Sequence, residues 1–236
     1  MIRQITGKTI LTGLLGSPVS HSISPLMHNT AFHMLGLDYA YMVFDVEVKG
    51  LPAAVAGLKA LGARGFNLTM PDKNAMCDLC DQLSPAARMI GAVNTVVNEG
   101  GVLTGHTTDG IGYMDAARDA GFELTGKVMT LLGGGGAATA VCAQAAIDGL
   151  KEIRVFNRPG ANFRRLERLA DDLNNYTDCR VTVHDLLDER GLSDSIDSSD
   201  ILTNGTPVGM TPHEDSCLIK DLDVLRPQLI VSDMIY

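Results

Sequence analysis

The chain has 236 residues, with 19 Lys or Arg and 28 Asp or Glu, which gives a formal net charge of −9 with His neutral. Hydrophobic residues make up 45% and charged residues 20%, a composition typical of globular domains. An acidic chain lacks the positive field that binds nucleic acids or anionic membranes, so neither partner is expected. No apolar run approaches the roughly 18 residues of a membrane-spanning helix. The first residues lack the apolar region of a signal peptide, so we expect a cytoplasmic location.

Alternating strand and helix patterns fill the first half of the chain. We interpret Ser24 as the N-cap and Pro25 as the first residue of the first helix, and Gly36 and Gly62 as helix ends. The segment 98–101, Asn-Glu-Gly-Gly, is typical of a hairpin turn. In chain order the patterns predict a strand at 10–15, a helix at 26–35, a strand at 39–46, a helix at 51–61, a strand at 65–69, helices near 73–79 and 85–90, and strands at 92–97 and 102–105.

Strand and helix patterns alternate more regularly in the second half of the chain. Its elements are predicted as a helix at 109–120, a strand at 127–132, a helix at 137–147, a strand at 152–157, a helix at 163–173, a strand at 180–184, a short helix within 186–196, and strands at 200–203 and 228–232. Repeated strand–helix–strand units imply a parallel sheet with right-handed crossovers. The fold class is therefore α/β, with two domains at 1–108 and 109–236.

A glycine-rich segment between strand and helix, Gly133-Gly134-Gly135-Gly136-Ala137-Ala138, carries the strongest local signal. In a dinucleotide-binding turn Gly133 allows the tight turn, Gly135 lets the backbone approach the pyrophosphate, and Ala138 permits close helix–strand packing. The free N–H groups of the helix N-terminus then favour the phosphate charge. The alternative is a glycine-rich turn without a ligand.

The next strand ends in Asn157-Arg158, where an NAD-preferring domain would carry a carboxylate for the ribose. Arg158 can pair with a 2′-phosphate or stack on adenine, which favours NADP. The alternative is a solvated surface arginine.

Four polar loops of the first half follow strands or precede helices, at 16–25, 67–73, 91–95 and 105–110. In the first loop, Ser22 and Ser24 could hold a polyol or a carboxylate, although helix capping explains serines there equally well. Together the loops offer one lysine and one carboxylate, a plausible proton-transfer pair. Cys77 and Cys80 form a CxxC without a second Cys pair or a His pair, so packing is favoured over a metal or redox role, and no metal site is predicted.

The ordered motifs SHSxSPxxHN, NxTxPxK, GAVNT, GxxTDG, GxGGA, NR and NGTPVGM resemble the shikimate dehydrogenase family, nearest its quinate/shikimate branch. The resemblance spans essentially the whole chain. It implies an N-terminal α/β substrate domain and a C-terminal Rossmann-type domain that binds NADP or NAD. It implies reversible oxidation of shikimate to 3-dehydroshikimate, or of quinate to 3-dehydroquinate, in the pathway to aromatic amino acids. A monomer or homodimer is expected.

The resemblance also implies residue roles. Lys73 matches the general acid/base, and Asp109 matches its aspartate partner. The expected substrate ligands are Ser22, Ser24, Tyr41, Thr69, Asn94, Thr108 and Tyr236. The expected cofactor ligands are Gly133, Gly134, Gly135, Gly136, Ala137, Asn157, Arg158, Thr206, Met210 and Met234.

Some positions depart from the family pattern. Thr107 stands where the family usually has Asn, Gly134 where Ala is usual, and Pro159-Gly160 follow Arg158 without the usual basic or acidic residue, which leaves NADP and NAD both open. Family members continue past the matched Tyr236, so we expect the C-terminal tail to be missing, with weak or no activity and poor stability if this is the whole chain. A non-catalytic NAD(P)- or quinate-binding module is the alternative. An amino-acid or methylene-tetrahydrofolate dehydrogenase is disfavoured by the SHSxSP loop.

Overall fold

The computed structural model describes residues 5–211 and 214–235. They form two compact units, which divide between Thr108 and Asp109. Each unit is built on one β-sheet. Across the described residues, no helix has both the length and the apolar character needed to cross a membrane.

The first unit contains six strands and three α-helices among its described residues. They are β1 (Ile10–Gly16), α1 (Ser24–Met34), β2 (Tyr39–Asp45), α2 (Leu51–Ala60), β3 (Gly65–Leu68), β4 (Gln82–Leu83), α3 (Pro85–Ile90), β5 (Thr95–Glu99) and β6 (Val102–His106), with a short 3₁₀ helix at Ala75–Leu79. The sheet order is β2-β1-β3-β5-β6-β4. Strands β2, β1 and β3 are parallel, whereas β5 runs antiparallel to β3 and β6.

Apolar spacing along α2 explains why this helix covers the first sheet. Leu51, Val55 and Leu58 recur at helical spacing and are all buried. They join strand residues such as Phe66 in one hydrophobic cluster. Cys77 and Cys80 pack at the edge of that cluster, in agreement with the packing role predicted for them.

The second unit contains five strands and four α-helices among its described residues. They are α4 (Asp109–Asp119), β7 (Val128–Leu132), α5 (Gly136–Ile147), β8 (Glu152–Asn157), α6 (Ala161–Tyr176), β9 (Arg180–Asp185), α7 (Glu189–Asp197), β10 (Ile201–Asn204) and β11 (Ile230–Asp233), with a 3₁₀ helix at Leu222–Val224. All pairs in the order β11-β10-β7-β8-β9 are parallel, which confirms the predicted α/β class. The chain runs outward from β7 in both directions, so the strand order reverses between β7 and β10, where open α/β sheets bind ligands.

The sequence interpretation of the segments around the first two polar loops was partly wrong. Ser24 is not an N-cap, because Ile23 holds that position and the Ser22 hydroxyl accepts a hydrogen bond from the Ser24 N–H one residue inside the helix. The helix predicted near 73–79 is only a 3₁₀ helix. The strand predicted at 92–97 begins at Thr95, because the Val93 N–H donates to the Lys73 carbonyl instead of to a neighbouring strand. The short β4 was not predicted.

A buried trio of hydroxyl groups joins the second sheet to α7. The Thr130 hydroxyl lies 2.7 Å from that of Ser195 and 2.8 Å from that of Ser199, and all three residues are buried. Buried polar groups of this kind stabilise a fold only while each keeps its partner.

We predict that Thr130→Val lowers the free energy of unfolding by about 1–3 kcal/mol, because the buried Ser195 hydroxyl loses its partner. Thr104→Val on β6 is the matched control. Thr104 is half-buried and has no side-chain hydrogen bond among the described residues, so a change within about 0.5 kcal/mol is expected. Urea denaturation measures both, and equal effects would contradict the role of the hydroxyl trio.

Candidate active site

Two of the polar loops lie side by side because β1 and β3 are neighbouring parallel strands. A Cβ on Gly16, at the end of β1, would lie 2.3 Å from the Thr69 Cγ2 atom. The Ser17 N–H donates to the Met70 carbonyl at 3.1 Å. The loop that carries Ser22 and Ser24 therefore contacts the loop that leads to Lys73.

The backbone around Lys73 is held on both sides. The Lys73 carbonyl accepts a hydrogen bond from the Val93 N–H at 2.8 Å. The Asn74 amide donates to the Gly91 carbonyl at 2.6 Å. These bonds tie the lysine loop to the Gly91–Asn94 loop, so two motifs that are distant in sequence form one surface of the first unit.

A continuous hydrogen-bonded network of amides and hydroxyls lies on the first sheet. The Tyr41 hydroxyl donates to Asn67 Oδ1 at 2.8 Å, and Asn67 Nδ2 donates to Thr95 Oγ1 at 3.0 Å. Asn94 Oδ1 accepts three hydrogen bonds, from the Thr95 hydroxyl, the Thr108 N–H and the Thr108 hydroxyl, at 3.0–3.1 Å. The predicted substrate residues Tyr41, Asn94 and Thr108 thus belong to one network.

Tyr41 remains a neutral phenol over the physiological pH range. Burial raises its pKa to about 12, and a hydrogen bond with the Ser24 side chain opposes part of that rise. The His28 ring stacks on it with centroids 4.3 Å apart, and burial lowers the pKa of His28. The phenol therefore stays a hydrogen-bond donor to Asn67.

Asn67 and Thr95 are central to this network, yet we did not predict them as site residues. Asn67 joins Tyr41 to Thr95, and Thr95 joins Asn67 to Asn94. Each occupies a defined position in a family motif: Asn67 is the first residue of NxTxPxK, and Thr95 is the last residue of GAVNT. That position within a motif was the available signal.

Asp72, the residue before Lys73, carries a carboxyl group that is fully buried. Neither oxygen has a hydrogen-bond partner among the described residues. Burial raises the pKa of this carboxyl, since the charged form is disfavoured away from water. The predicted acid–base loop therefore contains a second titratable group.

The glycine-rich turn of the second unit is packed on one side and open on the other. Gly133 has φ +107°, and a Cβ there would lie 2.8 Å from the Gly205 carbonyl oxygen. Cβ atoms on Gly135 and Gly136 would meet no protein atom within 4 Å. Among the described residues, no side chain caps the N-terminus of α5 or adds a carboxylate to its first turn, so its N–H groups are available to an anion. This arrangement fits the pyrophosphate of a dinucleotide.

The end of β8 borders this turn. A Cβ on Gly134 would lie 2.6 Å from Leu166 Cδ1 and 3.1 Å from Asn157 Cγ, so this glycine is set by packing. Arg158 is exposed and lines a cavity of about 280 Å³ together with Leu186 and other residues. Asn157 therefore lies beside the turn, and Arg158 follows it in the chain.

Asn204 organises the loop that follows β10, and we did not predict it as a site residue. Its Oδ1 accepts hydrogen bonds from the Thr206 N–H at 3.0 Å and the Thr206 hydroxyl at 2.7 Å. Its Nδ2 donates to the Val208 carbonyl and to Asp233 on β11. The loop presents Met210, which is 43% exposed. The first letter of NGTPVGM was the signal for Asn204.

The structure distributes the predicted site residues between the two units. Those in the first unit are Ser22, Ser24, Tyr41, Thr69, Lys73, Asn94 and Thr108. Those in the second unit are Asp109, Gly133, Gly134, Gly135, Gly136, Ala137, Asn157, Arg158, Thr206, Met210 and Met234. Tyr236 lies outside the described residues.

The two α/β units, the second with a Rossmann-type turn, define a class of two-domain nucleotide-binding proteins. Residues 14–96 match the family model described as the shikimate dehydrogenase substrate binding domain. The chain is 51% identical over 233 residues to a shikimate dehydrogenase (NADP(+)) of Listeria monocytogenes, covering 99% of this chain and 80% of that protein. The chain belongs to the shikimate dehydrogenase family.

Two solved structures extend the comparison. A shikimate 5-dehydrogenase from Listeria monocytogenes, in complex with shikimate and NAD, superimposes with a TM-score of 0.97 at 50% identity, over all of this chain and 82% of that one. A quinate dehydrogenase from Corynebacterium glutamicum, in complex with NAD, has a TM-score of 0.82 at 30% identity, over 97% of this chain and 80% of that one. The family prediction is confirmed.

Two glycines of the turn are expected to differ in what they contribute. Gly135→Ala should leave the melting temperature unchanged and weaken NAD(P) binding, because the added methyl meets only the space into which the pyrophosphate would come. Gly133→Ala should lower the melting temperature, because φ is positive and the methyl meets the Gly205 carbonyl. Calorimetry and cofactor titration separate the two. Unchanged cofactor affinity in Gly135→Ala would contradict the assignment.

Asp72 should make stability depend on pH. A carboxyl whose pKa is raised in the folded state stabilises fully below the unfolded pKa, and that stability is lost as pH rises toward the folded value. Asp72→Asn removes this titration. The melting temperature of the variant should therefore rise relative to that of wild type as the pH increases above about 4, the unfolded pKa of the carboxyl.

Asp81→Asn is the matched control with the opposite sign. The Leu103 N–H and the Lys59 side chain lower the pKa of Asp81, so its stabilisation is present above the unfolded pKa and lost as pH falls. The difference in melting temperature between wild type and that variant should therefore stay constant above about pH 5 and narrow as the pH falls below about 4. Parallel pH curves for wild type and Asp72→Asn would show that Asp72 does not titrate differently on folding.

Proposed function

We propose that the chain catalyses the reversible NAD(P)-dependent oxidation of shikimate to 3-dehydroshikimate, with hydride transfer from C3. Family membership, and relatives that carry this name and bind shikimate, support the proposal. The observation that carries it is the lysine loop. Lys73 sits on a segment hydrogen-bonded to the Gly91–Asn94 loop, and the amides and hydroxyls that would bind a polyol continue from there.

The first unit is the proposed substrate domain, residues 1–108. Ser22 and Ser24 would bind the carboxylate of shikimate. Thr69 and Asn94 would bind its hydroxyl groups. The matches of Tyr41, Thr108 and Tyr236 to substrate ligands are part of the same proposal. A polyhydroxylated acid suits a surface made of neutral amides and hydroxyls, because each ring hydroxyl can both donate and accept.

Lys73 is the proposed general acid/base. Oxidation of an alcohol requires that the hydroxyl proton leave as the hydride leaves, and an amine held at the reacting hydroxyl can take up that proton and return it. Asp109 is its proposed partner. No metal is required for this chemistry.

The second unit, residues 109–236, is the proposed NAD(P)-binding domain. Gly133–Ala137 and the N-terminus of α5 would hold the pyrophosphate, and Asn157 and Arg158 the adenosine ribose. Thr206, Met210 and Met234 would lie on the nicotinamide side. When bound, the nicotinamide supplies the hydride acceptor, and the protein supplies orientation. Arg158 favours NADP, and NAD is the second candidate.

Quinate is the second candidate substrate, because a relative of the same fold is a quinate dehydrogenase. A non-catalytic NAD(P)- or quinate-binding module remains the alternative function. The proposal places the protein in the cytoplasm and in the shikimate pathway. It is proposed to act as a monomer or homodimer without nucleic-acid partners.

We expect reduced nicotinamide to appear, by absorbance, when the protein is mixed with shikimate and NADP or NAD. Lys73→Ala should lower kcat by about 10²- to 10⁴-fold and keep shikimate binding, because only the proton transfer is lost. Lys49→Ala, at an exposed lysine between β2 and α2, is the control and should keep full activity.

Quinate with each cofactor completes the set of four mixtures. Binding of shikimate or quinate without turnover in any mixture would favour the binding module. Undiminished kcat in Lys73→Ala would contradict the assigned role of the lysine.

A further inference from the structure

A hydrogen bond links the second turn of α4 to the middle of the second sheet. The Tyr113 hydroxyl lies 2.7 Å from Thr203 Oγ1. Thr203 is fully buried on β10, and the described residues offer its hydroxyl no other hydrogen bond. Removal of the phenolic oxygen would therefore leave a buried hydroxyl without a partner.

Helix α4 has a first anchor one turn earlier. A Cβ on Gly110 would lie 2.3 Å from the Ala140 carbonyl oxygen and 2.6 Å from Gln144 Cβ, both on α5. The backbone of α4 thus rests directly on α5 beside Asp109, the first residue of α4. The packing between α4 and α5 continues along the helix, where Met114 is also buried, and it joins α4 to another helix and not to the sheet.

Tyr113 supplies a second anchor on the same face, since residues three apart lie on one side of a helix. The two contacts reach different elements, α5 through Gly110 and β10 through Tyr113. The Tyr113 hydrogen bond therefore ties α4 to the sheet in addition to its packing on α5.

The elements that receive these anchors lead directly into the proposed cofactor loops. Helix α5 begins at Gly136 in the glycine-rich turn, and β10 ends at Asn204, which organises the following loop. The two loops are themselves in contact, because a Cβ on Gly133 would lie 2.8 Å from the Gly205 carbonyl oxygen. Anything held by both α5 and β10 is therefore held at a fixed place relative to both loops.

We propose that Tyr113 is a positioning residue, whose hydrogen bond with Thr203 fixes Asp109 relative to the glycine-rich turn and the loop Asn204–Met210. This rests on the proposed function, in which Asp109 is the partner of the general acid/base. The role is one of placement, because a hydroxyl in the second turn acts on Asp109 only through the helix.

Tyr113→Phe removes only the hydroxyl, and Thr203→Val removes its partner at constant shape. Each is expected to lower kcat for shikimate by about 3- to 10-fold, the loss that one neutral hydrogen bond represents. The KM for shikimate and the dissociation constant of NADP should each change by less than about 2-fold. The double variant should be no slower than either single variant, because both remove the same bond. Thr203→Ser keeps the hydroxyl and should keep kcat.

Tyr176→Phe is the matched control, an exposed tyrosine at the end of α6 that should show wild-type kinetics. Hydrogen–deuterium exchange measures how firmly α4 is held and does not depend on catalytic activity. The amides of α4 should exchange faster in Tyr113→Phe than in wild type. If the melting temperature of Tyr113→Phe falls while kcat is unchanged, the bond contributes only to stability, and the proposal is overturned. Additive losses in the double variant would overturn it as well.

Failure of the proposed function has a different signature. A wild-type enzyme inactive on shikimate and quinate would contradict that function, whatever Tyr113 does. Unchanged exchange in α4 of Tyr113→Phe would overturn the positioning role, whatever the activity.

Discussion

Loops that follow neighbouring parallel strands lie at one edge of a sheet, and in this protein a glycine in one loop leaves no room for a side chain of its own against the next loop. Gly16 meets Thr69 in the first unit, and Gly133 meets Gly205 in the second. Both contacts join motifs from neighbouring strands. Placement of the chemistry-bearing side chains in each unit depends on these close approaches, because a methyl group would clash with the Thr69 side chain at Gly16 and with the Gly205 carbonyl at Gly133.

The polar groups behind these loops are largely satisfied by one another. Asn94 Oδ1 accepts three hydrogen bonds, and Asn204 binds both its own loop and β11. Such networks give a fixed arrangement of donors and acceptors as long as each member keeps its partner. Asp72 is the exception, since its buried oxygens find no partner among the described residues. Asp72 lies directly before Lys73 in the chain, and burial there raises the pKa of its carboxyl.

Short-range sequence signals correctly predicted the helix ends and turns, which are determined by a few consecutive residues. Gly36 and Gly62 follow their helices with positive φ, and the Asn-Glu-Gly-Gly segment turns a hairpin between β5 and β6. The glycine-rich turn joins β7 to α5 as its spacing indicates. Each of these outcomes depends on the backbone freedom of glycines whose positions can be read directly from the sequence.

Predictions failed where distant segments decide the conformation. The Val93 N–H bond to Lys73 holds the chain in a loop on which a strand had been predicted, and nothing near residue 92 signals it. Asn67 and Tyr113 bond to residues on other strands, so single-sequence patterns cannot show which of their polar atoms are used. Family motifs identified several site residues by position. The structure adds the hydrogen bonds that connect them, and it adds Asn204, Asp72 and Tyr113.

The central claim is that hydride moves directly from C3 of shikimate to the nicotinamide. Shikimate carrying deuterium at C3 tests it most directly, in a single turnover with NADP followed by mass analysis of the reduced cofactor. The account predicts that the deuterium appears in the reduced nicotinamide and that its formation is slower than with unlabelled shikimate. Reduced nicotinamide without deuterium, or label retained in the substrate after the cofactor is reduced, would contradict it.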